Sequence, residues 1–111
     1  MTTMTMVDEI MLAAPGEPIV NITAHTARQK ASGYAGSYIS HLMGGGEPSL
    51  LFSQNRLIWR VPLLLTSPQQ GIVGTVGSLD VDARTSQLIV PPDLAEQVKA
   101  HAQALINRTA P

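Results

Sequence analysis

The sequence contains no cysteine, and this absence excludes several kinds of chemistry together. Disulfide bridges, thiolate metal sites and cysteine nucleophiles all need that side chain. Aromatic residues are scarce as well, at 4% of the 111 residues, so we expect a core built mainly from aliphatic side chains. No apolar run approaches the roughly 18 residues that indicate a membrane-spanning helix. We therefore expect no association with a membrane.

Charged side chains are also few, at 14% of the chain, and the formal net charge is −1. The lysines and arginines are scattered and form no basic stripe of the kind that follows a nucleic-acid backbone. We therefore expect no nucleic-acid binding. Residues 1–11 have no basic region and include Asp8 and Glu9, so they do not resemble a signal peptide. A cytoplasmic protein is the expectation.

Length and composition predict a single folded domain. Hydrophobic residues make up 44% of the chain, which is enough for a core at this size. Residues 1–18 are rich in threonine and methionine and end in a Pro-Gly-Glu-Pro segment that interrupts regular structure. We expect residues 1–18 to be a loosely ordered arm and residues 19–111 to be the domain.

A first helix is predicted from Ala24 to Met43, with Thr23 as its N-cap. Its apolar face recurs at helical spacings of four, three, four and four residues, at Ala27, Ala31, Tyr34, Tyr38 and Leu42. The run Gly44-Gly45-Gly46 is the predicted end of this helix, because glycine adopts the left-handed backbone of a helix terminus at little cost.

Apolar runs after this helix predict strands at residues 49–53, 57–65, 72–82 and 88–90. The second run alternates strictly and gives one fully apolar face, made of Leu57, Trp59, Val61, Leu63 and Leu65. A second helix follows Asp93, with one apolar stripe at Leu94, Val98, Ala102 and Leu105. The prediction is an α+β fold, in which two helices cover one face of an antiparallel meander of three to four strands.

The segment Val81-Asp82-Ala83-Arg84-Thr85-Ser86-Gln87-Leu88 resembles the closing hairpin of PepSY-type domains. In that family an alanine-rich helix precedes a meander, and the same order holds here over about residues 23–90. The family has glycine where this chain has Ser86. The resemblance implies a small non-catalytic domain, and some members of the family are thought to bind or restrain peptidases.

No catalytic or metal-binding pattern emerges from the polar residues. Asp80 and Asp82 share a strand face, but no third acidic ligand lies near them in the sequence. The spacing of His25, His41 and His101 matches no ligand pair on one helix. We expect neither a catalytic residue, nor a metal, nor a cofactor.

Two functional hypotheses remain from this inventory. The first is a non-catalytic interaction or regulatory module. The second is a small-ligand binding protein or minor enzyme, with a site at the seam between helix and sheet or between two subunits. Its candidate ligand-binding residues are Tyr34, Tyr38, Arg60 and Asp80. A third reading, an antitoxin-like partner of a nuclease toxin, rests only on size and solubility.

Apolar residues on the second face of the sheet favour the interaction module. We assign four of them to that face by strand alternation: Ile58, Leu64, Ile72 and Val76. A contiguous apolar patch on an uncovered face is typical of a protein–protein contact. The sequence therefore predicts a homodimer through this face, since two-fold dimers are the commonest assemblies. A further protein partner is compatible with this prediction.

Overall fold

A computed structural model describes residues 20–109, so the arm predicted over residues 1–18 lies outside the described part of the chain. The described residues form two helices and five strands. In chain order these are α1 (Ala24–Tyr38), β1 (Met43–Gly45), β2 (Ser49–Ser53), β3 (Arg56–Ser67), β4 (Gly71–Asp82), β5 (Leu88–Ile89) and α2 (Leu94–Thr109). The predicted α+β fold is confirmed.

All pairings in the sheet are antiparallel, and the strand order is β1-β3-β4-β5. Strand β2 also pairs with β3, along residues 56–60, whereas β1 pairs along residues 63–65. Since β4 occupies the other edge of β3, β1 and β2 lie one after the other on the same edge. The sheet has five strands in the described residues, not three or four, because the chain between α1 and β2 adds a strand.

The extra strand corrects the predicted helix end. Helix α1 ends at Tyr38, and Met43–Gly45 is extended rather than helical. The Gly45 N–H donates to Ser32 Oγ at 2.7 Å, and the Gly45 carbonyl accepts from Arg28 Nε at 2.9 Å. A Cβ at Gly45 would lie 2.9 Å from both Ser32 Oγ and Val61 Cγ1. Glycine is present because the strand lies directly against the helix, and not because it ends the helix.

Both helices pack on one face of the sheet, around the alternating apolar residues of β3. The fully buried alanines of α1 and the predicted stripe of α2 meet one cluster, which includes Val61, Leu63, Leu65, Leu79 and Val81. Trp59 is partly buried against this cluster, and its Nε1 donates to the Ile22 carbonyl at 2.9 Å. The interpretation of Trp59 as a core residue therefore agrees with its surroundings.

Strand β4 departs from simple alternation. Its pairing with β3 shifts between Leu63 and Leu64 and again between Leu65 and Thr66. Leu63 pairs with Gly77 and Leu64 with Thr75, so Val76 has no partner in β3. An unpaired extra residue of this kind is a β-bulge, which bends the strand and redirects a side chain. Here it turns Val76 towards the helices.

Two tight turns use residues in the left-handed region. Gln54 and Asn55 have φ values of 51° and 62°, so the β2–β3 hairpin has a two-residue turn of type I′. Ser86 has φ 71°, the region that glycine occupies at the lowest cost. The Asp82 carboxylate supports that second turn, because its Oδ1 accepts from the backbone N–H groups of Arg84 and Thr85 at 2.8 and 2.9 Å.

Candidate interaction surface

The helices leave one face of the sheet uncovered in the described residues, and we call it the outer face. Alternation and strand register assign its side chains. Strand β2 contributes Ser49, Leu51 and Ser53; β3 contributes Arg56, Ile58, Arg60, Pro62, Leu64 and Thr66; β4 and β5 contribute Ile72, Thr75, Ser78, Asp80, Asp82 and Ile89. This face is mixed, with aliphatic residues between hydroxyl and charged groups.

The four predicted interface residues differ widely in exposure. Ile72 is 65% exposed and Leu64 is half-buried, and both lie on the outer face as predicted. Val76 is only 1% exposed and belongs to the helix-side core, so its assignment to the outer face was wrong. The reason is the bulge, which shifts the alternation of β4. Ile58 lies on the outer face but is only 2% exposed.

Two arginine–aspartate pairs flank Ile58 on the outer face. Arg60 holds Asp80 through two hydrogen bonds of 2.9 and 3.0 Å, and Arg56 lies 3.6 Å from Asp82. Arg56 and Arg60 are two residues away from Ile58 on the same face of β3, so their stems lie beside it. Long charged side chains commonly cover apolar surface in this way. Ile58 is therefore unavailable as a contact residue.

These pairs define the electrostatics of the face. The hydrogen bond and the charge of Asp80 raise the pKa of the Arg60 guanidinium above its ordinary value. For Asp82, burial acts to raise the carboxyl pKa, but the hydrogen bonds from Thr85 and Arg84 and the charge of Arg56 together lower it below its ordinary value. Both aspartates are therefore engaged by partners within the described residues.

The four predicted ligand-binding residues do not form one site. The ring centroids of Tyr34 and Tyr38 lie 4.9 Å apart on α1, with the rings tilted by 33°, on the helix side of the sheet, and Tyr38 is 71% exposed. Arg60 and Asp80 form their pair on the outer face. The sheet therefore separates the two tyrosines from the charged pair. Ligand binding by these four residues remains a prediction.

Shallow hollows lie on both sides of β4. A groove of about 520 Å³ on the outer face is lined by Glu47, Ser49, Leu51, Arg60, Pro62, Thr75, Gly77 and Ser78. A hollow of about 320 Å³ lies between β4, β5 and α2, and its polar lining includes Ser78, Asp80, Gln97 and His101. In that hollow His101 Nδ1 lies 3.1 Å from the Val76 carbonyl. A carbonyl only accepts, so Nδ1 donates in this contact, and Nε2 is an acceptor when the ring is in its neutral form.

Sequence reasoning missed one feature, which is the edge of the sheet that strand β2 forms on the side away from β3. This strand pairs only with β3 among the described residues, and Leu51 and Phe52 are 36% and 60% exposed. The signal was present in the sequence as a short apolar segment without charge or proline, Ser49-Leu50-Leu51-Phe52-Ser53. Such an edge lacks the usual protection against pairing with another chain.

Residues 20–109 contain no group of three His, Asp or Glu side chains placed to hold a metal ion. Neither helix in this range is long and apolar enough to cross a bilayer. Every buried side-chain nitrogen and oxygen in the described part has a hydrogen-bond partner. Buried polar groups within this range therefore contribute to folding and leave no unsatisfied atom directed at a ligand.

Comparison with known proteins supplies no relative. No protein-family model, no curated protein and no solved structure matches the chain. The class that the fold and the surface define is a small two-layer α+β domain whose sheet has one mixed face that no element within residues 20–109 covers.

Proposed function

We propose that this protein is a non-catalytic interaction or regulatory module that works as a homodimer through the outer face of its sheet. The observation that carries the proposal is the composition of that face. It presents Ile72, Leu64, Pro62 and Leu51 without a covering layer in residues 20–109, beside charged groups that are already paired. Uncovered apolar surface of this kind favours protein contact.

The energetics favour a flat protein partner over a small molecule. Aliphatic groups on an open sheet lose contact with water only when a surface of similar shape covers them, and each Å² buried contributes roughly 25 cal/mol before the entropy of association is subtracted. The Arg60–Asp80 pair needs no further partner and gives the contact a polar rim. A second copy of the chain carries the same apolar groups and satisfies these conditions.

The test is the mass of the protein in solution, measured by light scattering at micromolar concentration. We expect a dimer for the native chain and a shift towards monomer for Ile72→Glu and Leu64→Glu, because each places a charge in the contact. Gln29→Glu adds the same charge on exposed α1 and should leave the dimer intact. Circular dichroism checks that all three variants fold.

A native chain that stays monomeric at high concentration contradicts the homodimer. Val76→Glu is unsuitable as an interface variant, because Val76 is in the core and a buried charge there should unfold the domain. If Val76 lay on the outer face, as the sequence predicted, Val76→Glu would be folded and monomeric. Because Val76 lies in the core, we expect the variant to be unfolded instead.

A second candidate function is small-ligand binding in the hollow between β4, β5 and α2. The arrangement that favours it is the imidazole of His101, which lines the hollow together with Gln97 and whose Nε2 is an acceptor when the neutral ring donates from Nδ1 to the Val76 carbonyl. A ligand with a hydrogen-bond donor would suit this site. Titration of the His101 ring resonances against a panel of small polar metabolites tests it, with His101→Phe as the control. No shift with any compound would contradict this candidate.

A further inference from the structure

The outer side of β2 has a defined set of unpaired backbone groups. The Ala83 N–H donates to the Leu57 carbonyl on the β4 side of β3, and Gly46 N–H donates to the Pro62 carbonyl on the opposite side. Odd-numbered residues of β3 therefore direct their backbone groups to β4, and even-numbered ones direct theirs to β1 and β2. The β2 residues opposite even-numbered positions are Ser49, Leu51 and Ser53.

It follows that Leu50 and Phe52 direct their N–H and C=O groups away from β3. Within residues 20–109 no other strand or side chain bonds to them. We call these four backbone groups the free edge. An edge strand is usually protected by charges, a proline, a bulge or a covering element. Residues 49–53 contain no charge and no proline, and their register with β3 is regular.

We propose that the free edge pairs with the free edge of a second copy of this chain, in antiparallel orientation about a two-fold axis at Leu51. The segment is nearly symmetric in chemistry, as Ser-Leu-Leu-Phe-Ser. In this register Ser49 faces the second copy's position 53, and Leu50 faces position 52. Like residue types therefore meet, and no charged groups are brought face to face.

The register follows from the backbone. Centring the pair on Leu51 lets Leu50 and Phe52 exchange hydrogen bonds with the second copy, and it leaves Leu51 opposite itself as a non-hydrogen-bonded pair. If the two-fold axis is moved by one residue towards the N-terminus, to Leu50, Phe52 lies opposite Pro48, which has no N–H. If the axis is moved by one residue towards the C-terminus, to Phe52, Leu50 lies opposite Gln54, which is in the turn with φ 51°. The Leu51-centred register keeps all five residues of β2 paired.

This contact is separate from the face-to-face contact proposed above and goes beyond it. It continues the sheet sideways and leaves the outer face of each copy uncovered. Because five residues form it, we expect it to be the weaker of the two and to appear at higher protein concentration. With both contacts present, face-to-face dimers associate further through their edges.

The absence of cysteine provides a direct test, since one introduced thiol reports only on its own surroundings. In a non-hydrogen-bonded antiparallel pair the Cα atoms lie about 4.5 Å apart, within the range that a disulfide spans. We expect Leu51→Cys, made in the Leu64→Glu background, to form disulfide-linked dimers under mild oxidation. Ser49→Cys is the matched control, because two copies of position 49 lie about 13 Å apart in this register.

A third variant tests the hydrogen bonds. Adding Phe52→Pro to the Leu51→Cys chain removes one of the two outward N–H groups of the free edge and no bond to β3, so the fold should persist by circular dichroism. We expect the disulfide-linked fraction to fall to the level of Ser49→Cys. Efficient linking through Leu51 alone, lost on Phe52→Pro, supports the proposal.

Equal linking through both cysteines, or linking through neither, overturns it. So does linking that survives Phe52→Pro in the folded protein. The outcome is independent of the proposed function: if Leu64→Glu and Ile72→Glu leave the mass of the native assembly unchanged, the face-to-face contact fails while the cysteine result still decides the edge contact.

Discussion

Strands β1 and β2 lie along the same edge of β3, but the backbone groups that they direct away from β3 differ in their hydrogen bonding. The outer backbone groups of Gly45 in β1 are both bonded by α1, through Ser32 and Arg28. The corresponding groups of Leu50 and Phe52 in β2 have no such partner in the described residues. The break between the two strands lies opposite Pro62, which has no N–H to offer.

The difference shows how a helix protects a sheet edge. Close approach needs a residue without a side chain at the contact, and Gly45 supplies it. Strand β2 carries large side chains at every apolar position, so a helix could not lie as close to it. One half of the edge is therefore fixed inside the domain, and the other half has no such cover within residues 20–109. The comparison leads to three predictions, taken from the largest expected effect to the smallest.

Strand β1, the half of the edge that α1 covers, should not tolerate a side chain at Gly45. Gly45→Val places a branched group where even a Cβ would lie 2.9 Å from Val61 Cγ1. We expect a loss of about 3 kcal/mol in the free energy of unfolding, the upper range for overpacking. The neighbouring Gly44 has open space at its Cβ position, so Gly44→Val should change stability by less than about 0.5 kcal/mol. Chemical denaturation compares the two, and equal effects would contradict the close contact with α1.

The half of β3 that pairs with β2 depends on Asp82. This carboxylate accepts two backbone N–H groups and pairs with Arg56, so Asp82→Asn should cost about 1–2 kcal/mol at neutral pH. The pKa of Asp82 is lowered in the folded protein. Its contribution is therefore complete above the ordinary aspartate pKa and is lost as the pH falls through the lower, folded-state pKa.

Denaturation of both proteins at neutral and acid pH measures this contribution. The native chain should lose more stability on acidification than Asp82→Asn does. Parallel losses in the two proteins would mean that Asp82 does not support the turn after β4.

Strand β2, the other half of the edge, should tolerate substitution at Phe52. Phe52 is 60% exposed, and Phe52→Lys leaves every hydrogen bond to β3 in place. We expect less than about 0.5 kcal/mol of change in the free energy of unfolding. Lysine on an edge strand opposes pairing with another chain, so association at high concentration should weaken in the same variant. A loss of stability above about 1 kcal/mol would show that Phe52 is part of the core.

The sequence predicted the layers of the fold well, because they depend on local periodicity. Alternation from Leu57 to Leu65 and the stripe from Leu94 to Ala102 identified the core faces of β3 and α2. Strand β1 was missed because glycine disfavours strands and often ends helices. Its extended form is fixed by Ser32 and Arg28, which are 13 and 17 residues away in the chain.

The candidate site was less predictable, for two reasons. A bulge in β4 moved Val76 to the core, and no local pattern indicates which residue of an alternating run will lose its partner. The sheet also separated Tyr34 and Tyr38 from Arg60 and Asp80, and spacing alone does not indicate on which side of a sheet a helix packs. The free edge of β2 was readable as an uncharged segment, but only the strand pairing identifies it as an edge.

Residue-resolved hydrogen exchange over a dilution series tests the central claim most directly, that one half of the edge is fixed within the chain and the other pairs between chains. We predict that the Gly45 amide is protected at every concentration. The amides of Leu50 and Phe52 should exchange freely in dilute solution and become protected as the concentration rises. Protection of those two amides at the greatest dilution, or its absence at every concentration, would contradict the account.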